Sequence, residues 1–231
     1  MKSIKNIIIV VIIVLTSICL LFINSGYQMY RKAIKEVGLT EKVSQITEKE
    51  NYTKLSEMPK IYLDAVIAVE DHRFYNHNGI DVISIGRAAF NDIRTLSFIE
   101  GGSTITQQLS KNVYFTQEKK IERKIAEVFM AFTFEKHYTK NEILELYLNT
   151  AYFGNGYYTV KEASQGYFDK EPKEMTDGEA IMLAGIPNAP SVYNPKVNLK
   201  LAKQRRNQVI KKMIKYKKLT QEEANKIIAK N

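Results

Sequence analysis

Two hydrophobic regimes follow one another along the chain. After Lys2 and Lys5, residues 7–23 carry no charge and are almost all aliphatic, interrupted only by Thr16 and Ser17. That is close to the roughly 20 residues a membrane-spanning helix needs. Residues 24–57 are polar and mixed, and read as a stalk or mobile approach to a membrane. From about Pro59 onward the apolar positions recur with helical spacing. Three capping boxes mark helix starts: Thr139-x-x-Glu142 ahead of residues 143–148, Thr176-x-x-Glu179 ahead of 180–184, and Thr220-x-x-Glu223 ahead of 224–228. Strand-like alternation is scarce, and Pro187, Pro190 and Pro195 fall in one connection. The pattern predicts a mainly α protein in three parts: a tail and anchor over residues 1–23, a membrane-proximal segment over 24–57, and a folded domain over 58–231.

Composition narrows the class. With 45% apolar and 26% charged residues in 231, the chain can bury a core, which excludes wholesale disorder and fibrous repeats. The single Cys19 cannot close an intrachain disulfide. No small-residue cleavage site follows the apolar run, so it reads as an uncleaved anchor, and Ile18 before Cys19 argues against lipidation. Formal charge is +9, from 34 Lys+Arg against 25 Asp+Glu. Such an excess favours an anionic partner: nucleic acid, a phosphate-bearing substrate or a membrane surface. The flanks of the anchor, Lys2 and Lys5 against Arg31, Lys32 and Lys35, do not fix its orientation. Residues 200–218 hold nine basic and no acidic side chains, with Leu201, Val209, Ile210, Met213 and Ile214 at amphipathic-helix spacing. They could cap the domain as a solvated helix or touch anionic lipid or wall polymer.

Three blocks could carry chemistry. Glu70 and Asp71 end an apolar run and precede His72, Arg73, Phe74 and His77. A partly desolvated carboxylate at a helix end suits general acid or base work, although a plain ion pair with Arg73 satisfies the same pattern. Two histidines without further ligand spacing make a weak metal signal and read better as hydrogen-bonding cleft residues. In the second block a helix from Thr104 sets Thr104, Gln108 and Lys111 on one face, after Gly101-Gly102-Ser103. This is neither a Walker loop nor a dinucleotide fingerprint; a solvated face is one reading, and contacts to sugar hydroxyls and a phosphate another. The third block sets Arg123 and Glu127 one turn apart, a spacing that usually makes a structural salt bridge.

In this order the blocks resemble the motifs of the bacterial peptidoglycan glycosyltransferases, the lysozyme-like helical domain that also occurs in class A penicillin-binding proteins. The residues that carry the likeness are Glu70-Asp71-x-x-Phe74-x-x-His77-x-Gly79-x-Asp81, then Gly102-Ser103-Thr104-Ile105-Thr106-Gln107-Gln108-Leu109-x-Lys111-Asn112. Arg123-Lys124-x-x-Glu127 and Lys140-x-Glu142-Ile143-Leu144-Glu145-x-Tyr147-Leu148-Asn149 come next, then Tyr152-Phe153-Gly154 through Tyr167-Phe168, and Glu179 through Pro190. The likeness covers about residues 55–195. Two positions depart from it: Asp169 stands where the family commonly has Gly, and Ser164 where it commonly has Ala.

The resemblance implies polymerisation of lipid II into β-1,4-linked glycan by a single inverting displacement, with release of undecaprenyl pyrophosphate. It makes Glu70 the general base and Glu127 a second essential carboxylate. It assigns Lys111 and Arg123, with Lys119 from the basic segment between motifs, to the pyrophosphate, and Thr104, Gln108 and Asn112 to the donor cleft. Asp71, Phe74, His77, Ser103 and Gln107 join the substrate-binding set. It leaves room for a divalent cation, Mg2+ or Mn2+, through Glu127, and for no organic cofactor. It implies lipid II, the growing lipid-linked strand, membrane lipids and other cell wall synthesis proteins as partners, excludes nucleic acid, and places the domain outside the cytoplasm of a bacterial cell on a single-pass anchor with residues 1–6 inside. Residues 24–57 and the apolar face from Phe90 to Phe98 could touch that membrane, or the latter could equally belong to ordinary core helices. No Ser has Lys three residues later, so the chain reads as a monofunctional form without the transpeptidase nucleophile. The competing enzyme class is a lysozyme-like or lytic transglycosylase, which cleaves the same polymer.

Overall fold

The computed structural model describes residues 2–95, 102–116, 118 and 120–229. Among the described residues eleven α-helices occur in order: α1 (Lys2–Glu36), α2 (Leu39–Thr47), α3 (Lys60–Glu70), α4 (Val82–Thr95), α5 (Ile105–Tyr114), α6 (Ile121–His137), α7 (Lys140–Leu148), α8 (Val160–Phe168), α9 (Asp177–Gly185), α10 (Leu199–Lys215) and α11 (Gln221–Ala229). Among the described residues the sole β feature is an isolated bridge between Gly154 and Tyr157. The expected mainly α class is therefore what the chain adopts.

The capping boxes sit where the sequence puts them. Thr139 and Thr176 each accept from the N–H of the Glu three residues on, whose carboxylate reaches back to the cap N–H. Thr220 and Glu223 do the same at α11. Each box satisfies two of the N–H groups that a helix start leaves unpaired.

Helix α3 is the centre of the body. Its sequence is apolar nearly all round, so it can be stable only when enclosed: Tyr62, Ala65, Val66, Ile67, Ala68 and Val69 are all buried. It packs against α9 and α10, while α5 packs between α6 and α7. The basic C-terminal segment forms α10, which turns Ala202, Arg206, Val209, Ile210 and Met213 inward. Lys212 donates to the Val69 carbonyl at the end of α3 (3.3 Å) and Lys218 pairs with Asp64 (2.9 Å). The domain-capping reading of this segment has its apolar face accounted for.

Helix α1 is long and apolar enough to cross a membrane, and it does not stop at residue 23. It runs on to Glu36 and packs along α6. Gly26 marks the closest approach: a Cβ there would lie 2.6 Å from Ile125 Cβ and 2.8 Å from the Glu122 carbonyl oxygen. Tyr27 meets Phe129 edge-on at 5.2 Å, and the Tyr30 and Thr133 hydroxyls are 3.0 Å apart. As α1 advances from 26 to 30, its contacts advance from 122 to 133, so the two helices run parallel.

The segment expected as a stalk or mobile approach is thus bound to the body. Leu39 and Ile46 of α2 are buried in the core. Thr53 and Asn149 exchange two hydrogen bonds of 2.8 Å, and Glu145 accepts from Tyr52 (2.6 Å) and the Leu55 N–H (2.7 Å). The apolar spacing Tyr30, Ala33, Ile34, Val37 is helical, but the charged residues between these positions mask it.

Candidate active site

The site forms where α3 ends. The chain leaves the helix at Asp71 (φ −157°, ψ 77°), and the buried Asp71 carboxylate ties two later segments to that point. Its oxygens lie 2.9 and 3.1 Å from His77 Nε2, and one accepts from the Ile105 N–H (3.1 Å), in the first turn of α5. A carboxylate is electrostatically favoured at a helix N-terminus, so Asp71 docks α5 beside Glu70. His77 serves as a hydrogen-bonding residue, as expected.

The N-terminus of α5 is over-determined. Thr104 donates to the Gly79 carbonyl (2.6 Å) and accepts from the Gln107 N–H (3.1 Å), while Gln107 Oε1 accepts from the Thr104 N–H (3.0 Å). Glu135, to which sequence reasoning gave no role, accepts at one oxygen from the Gly79 N–H (3.0 Å), Thr106 (2.6 Å) and Lys140 (2.6 Å). Gly79 needs its missing Cβ, because φ is +81° and Ala131 and Phe132 lie within 3.4 Å of where one would stand. Phe74 is fully buried, with the Lys140 ammonium 4.5 Å from its ring centre. Of the expected substrate contacts, Asp71, Phe74, Thr104 and Gln107 make framework contacts within the protein, as does His77 through Nε2, while its buried Nδ1 has no hydrogen-bond partner.

Gln108, Lys111 and Asn112 remain half-buried on the face of α5 toward Glu70 and α6. Gln108 Nε2 donates to Glu70 Oε2 (2.8 Å), and Glu70 Oε1 is buried without a hydrogen-bond partner. Burial and the nearby Arg123 charge lower the Lys111 pKa, with Glu70 pulling the other way.

The opening turns of α6 complete the site. Glu127, 1% exposed, takes Arg123 on one oxygen and Lys124 on the other (2.9 Å to Lys124). Arg123 also donates to the Glu118 carbonyl, and Lys124 to the Ser103 hydroxyl (2.6 Å). Lys124 was not among the expected site residues, although its place beside Arg123 and three residues before Glu127 is the signal that could have found it. Burial, with the charges of Arg123 and Lys111, pushes the Lys124 ammonium down to about 8. Two cations thus share one carboxylate, and with Lys111 nearby on α5 they leave a locally positive wall. Lys119 and Phe98 lie outside the described residues.

A divalent cation finds no fitting donor set here. Both Glu127 oxygens are occupied by cations, and among the described residues no three His, Cys, Asp or Glu groups converge. Glu127 therefore acts on the site through the side chains it holds.

The two departures from the family pattern occur together. Asp169 ends α8 in the left-handed region (φ 57°, ψ 42°), which explains why Gly suits that position and why Asp, tolerant of that conformation, can replace it. The buried Ser164 hydroxyl donates to the Lys170 carbonyl (2.6 Å), just past that turn.

Residues 38–214 match the family model described as Transglycosylase. Penicillin-binding protein 1F of Bacillus subtilis is 46% identical over 170 residues, covering 74% of this chain and 24% of its own length. Penicillin-binding protein 1A of Vibrio cholerae is 47% identical over 182 residues, covering 78% and 22% respectively. The crystal structure of penicillin-binding protein 1A from Haemophilus influenzae aligns with 27% identity and a TM-score of 0.46, over 76% of this chain and 17% of that one. The chain spans about a quarter of the length of the two curated relatives. The family match takes in every motif that frames the cleft between α3, α5 and α6, and the chain belongs to the transglycosylase family, the peptidoglycan glycosyltransferase domain of class A penicillin-binding proteins.

Proposed function

We propose that this chain polymerises lipid II, acting at the outer face of a bacterial membrane on a single-pass anchor. One observation carries the reading: a carboxylate with one oxygen tied and the other buried without a partner, Glu70, faces the same α5 surface as a wall of three cations. Gln108, which holds Glu70, and Lys111, which begins the wall, are three residues apart, about 4.5 Å of helix rise.

In the reaction, Glu70 Oε1 takes the proton from the 4-hydroxyl of the acceptor's terminal GlcNAc. The freed oxygen lone pair attacks the anomeric carbon of the donor's MurNAc, the bond from that carbon to the pyrophosphate oxygen breaks, and undecaprenyl pyrophosphate departs with the electron pair. Attack opposite the leaving group converts an α-linkage to β, so one base is sufficient and no glycosyl-enzyme forms. Negative charge gathers on the leaving pyrophosphate, where Lys111, Arg123 and Lys124 stabilise it at no cost of reorganisation. Arg123 can take two phosphate oxygens at once. Glu127 keeps Arg123 and Lys124 at fixed spacing, which makes it a positioning residue for that pair. Both substrates hang from lipid, so an anchor in the same bilayer raises their effective concentration.

Purified protein incubated with lipid II alone is expected to yield a polymer that muramidase digests, and Glu70→Gln is expected to lose this activity by at least a factor of about 1,000, as for removal of an essential base. Lysis of preformed glycan without polymer formation overturns the proposal.

A further inference from the structure

We infer that Tyr147, on α7, is a positioning residue for the base, setting through Gln108 which oxygen of Glu70 is tied and which is left to react. The inference rests on the reading of Glu70 as the base.

The relay crosses three helices. Tyr147 is 2% exposed, and its hydroxyl donates to Gln108 Oε1 (3.3 Å), whose Nε2 donates to Glu70 Oε2 (2.8 Å). An amide has two ends of opposite character, and a half-buried glutamine can present either to a neighbour. Reversed, Gln108 would set its carbonyl oxygen against the Glu70 carboxylate, two acceptors at hydrogen-bond distance. Tyr147 favours the observed state by donating its hydroxyl to Gln108 Oε1, which anchors the carbonyl end of the amide, and complete burial with the nearby Glu70 charge keeps that hydroxyl protonated by raising its pKa well above the usual tyrosine range. With the hydroxyl facing Oε1, the Nε2 end is directed at Glu70. One Glu70 oxygen is thereby fixed, and the buried Oε1 is left as the one without a hydrogen-bond partner. Lys111 from α5 and Tyr62 on α3 itself also feel the Glu70 charge. Neither is hydrogen-bonded to it, which leaves Gln108 as the group that sets the carboxylate's rotation among the described residues.

Tyr147→Phe removes one oxygen and keeps the ring. Polymerisation of lipid II is expected to show kcat about tenfold lower, the rate equivalent of one net hydrogen bond, with KM unchanged. In a Gln108→Ala background the same change is expected to add nothing, because the relay is already cut. A purely structural tyrosine would lower kcat by the same factor in both backgrounds, and that result, or wild-type kcat in Tyr147→Phe, overturns the inference. Should Tyr147→Phe fail to fold, the wild-type protein labelled with 15N-glutamine provides the test. The side-chain amide of Gln108, assigned by its loss in Gln108→Ala, is expected to exchange slowly with solvent, and rapid exchange overturns the inference. If Glu70→Gln keeps polymerising, the base reading fails instead, whatever Tyr147 does.

Discussion

At the scale of single residues, charges are organised here by their neighbours more than by their own type. Lys124 is the clearest case. Held down to about 8 by burial and two adjacent cations, it is charged at neutral pH and loses its proton as pH rises through that value, well before a free lysine does. Grip on a pyrophosphate should weaken in step. The KM for lipid II is expected to rise several-fold between about pH 7.5 and 9, and Lys124→Arg, which stays charged, is expected to flatten that rise; parallel KM profiles in both proteins would refute this. Fold stability moves the opposite way. Between about 8 and the unfolded lysine value near 10.4, the unfolded chain binds the proton more tightly, so this group adds stability as pH climbs through that window. Much of the site's membership was legible in the sequence: the motifs name Glu70, Lys111, Arg123 and Glu127, and the fold brings them to one region. The division of labour was not. Thr104 and Gln107 match a substrate-lining pattern, yet they satisfy the two ends of their own capping box, and Asp71 and His77 hold each other. A motif records which residues a site needs; whether a side chain faces substrate or its own backbone depends on contacts such as Ile105 N–H to Asp71, 34 positions apart.

Between elements, the α1–α6 contact is the one with the most direct line to chemistry. The same first two turns of α6 that press on Gly26 through Glu122 and Ile125 also carry Arg123, Lys124 and Glu127. A larger side chain at position 26 must push α6 aside or tilt α1, a strain of about 1–3 kcal/mol by analogy with overpacked cores. Gly26→Leu is therefore expected to raise KM for lipid II by several-fold in vesicles while the melting transition of the body shifts by only a few degrees. An unchanged KM would separate the anchor from the cationic wall. The sequence did not announce this contact. One glycine in a helical run is ambiguous, and its partner face lies about a hundred residues away in a helix whose apolar stripe reads as ordinary core.

For the molecule as a whole, sequence patterning identified the helical class and the capped helix starts because these depend on spacing within a few residues. It divided the chain too early, because the bonds that join residues 24–57 to the body are long-range. Thr53 and Asn149 are 96 positions apart and both buried; cutting the chain at 58 would leave Asn149 Oδ1 without its partner, its Nδ2 with the Glu145 carbonyl alone, and the Glu145 carboxylate stripped of Tyr52 and Leu55. Each such orphan costs about 1–3 kcal/mol. A variant lacking residues 2–23 is expected to melt in one cooperative step near the full-length protein in detergent. One lacking residues 2–57 is expected to melt at least about 10 °C lower, or to aggregate; equal melting points would restore the stalk description.

The unbroken run of α1 from its apolar half onto α6 makes the anchor a shaft where a coil would have made a string. Each residue added to or removed from a helix turns the part beyond it by about 100° and shifts that part by about 1.5 Å. A single-residue insertion near position 23 therefore rotates the lipid-facing part against the cleft without altering any group in it. The angle between the apolar half of α1 and the cleft is, in this sense, written as a residue count, and rotation imposed on the shaft would reach the first turns of α6 as torque.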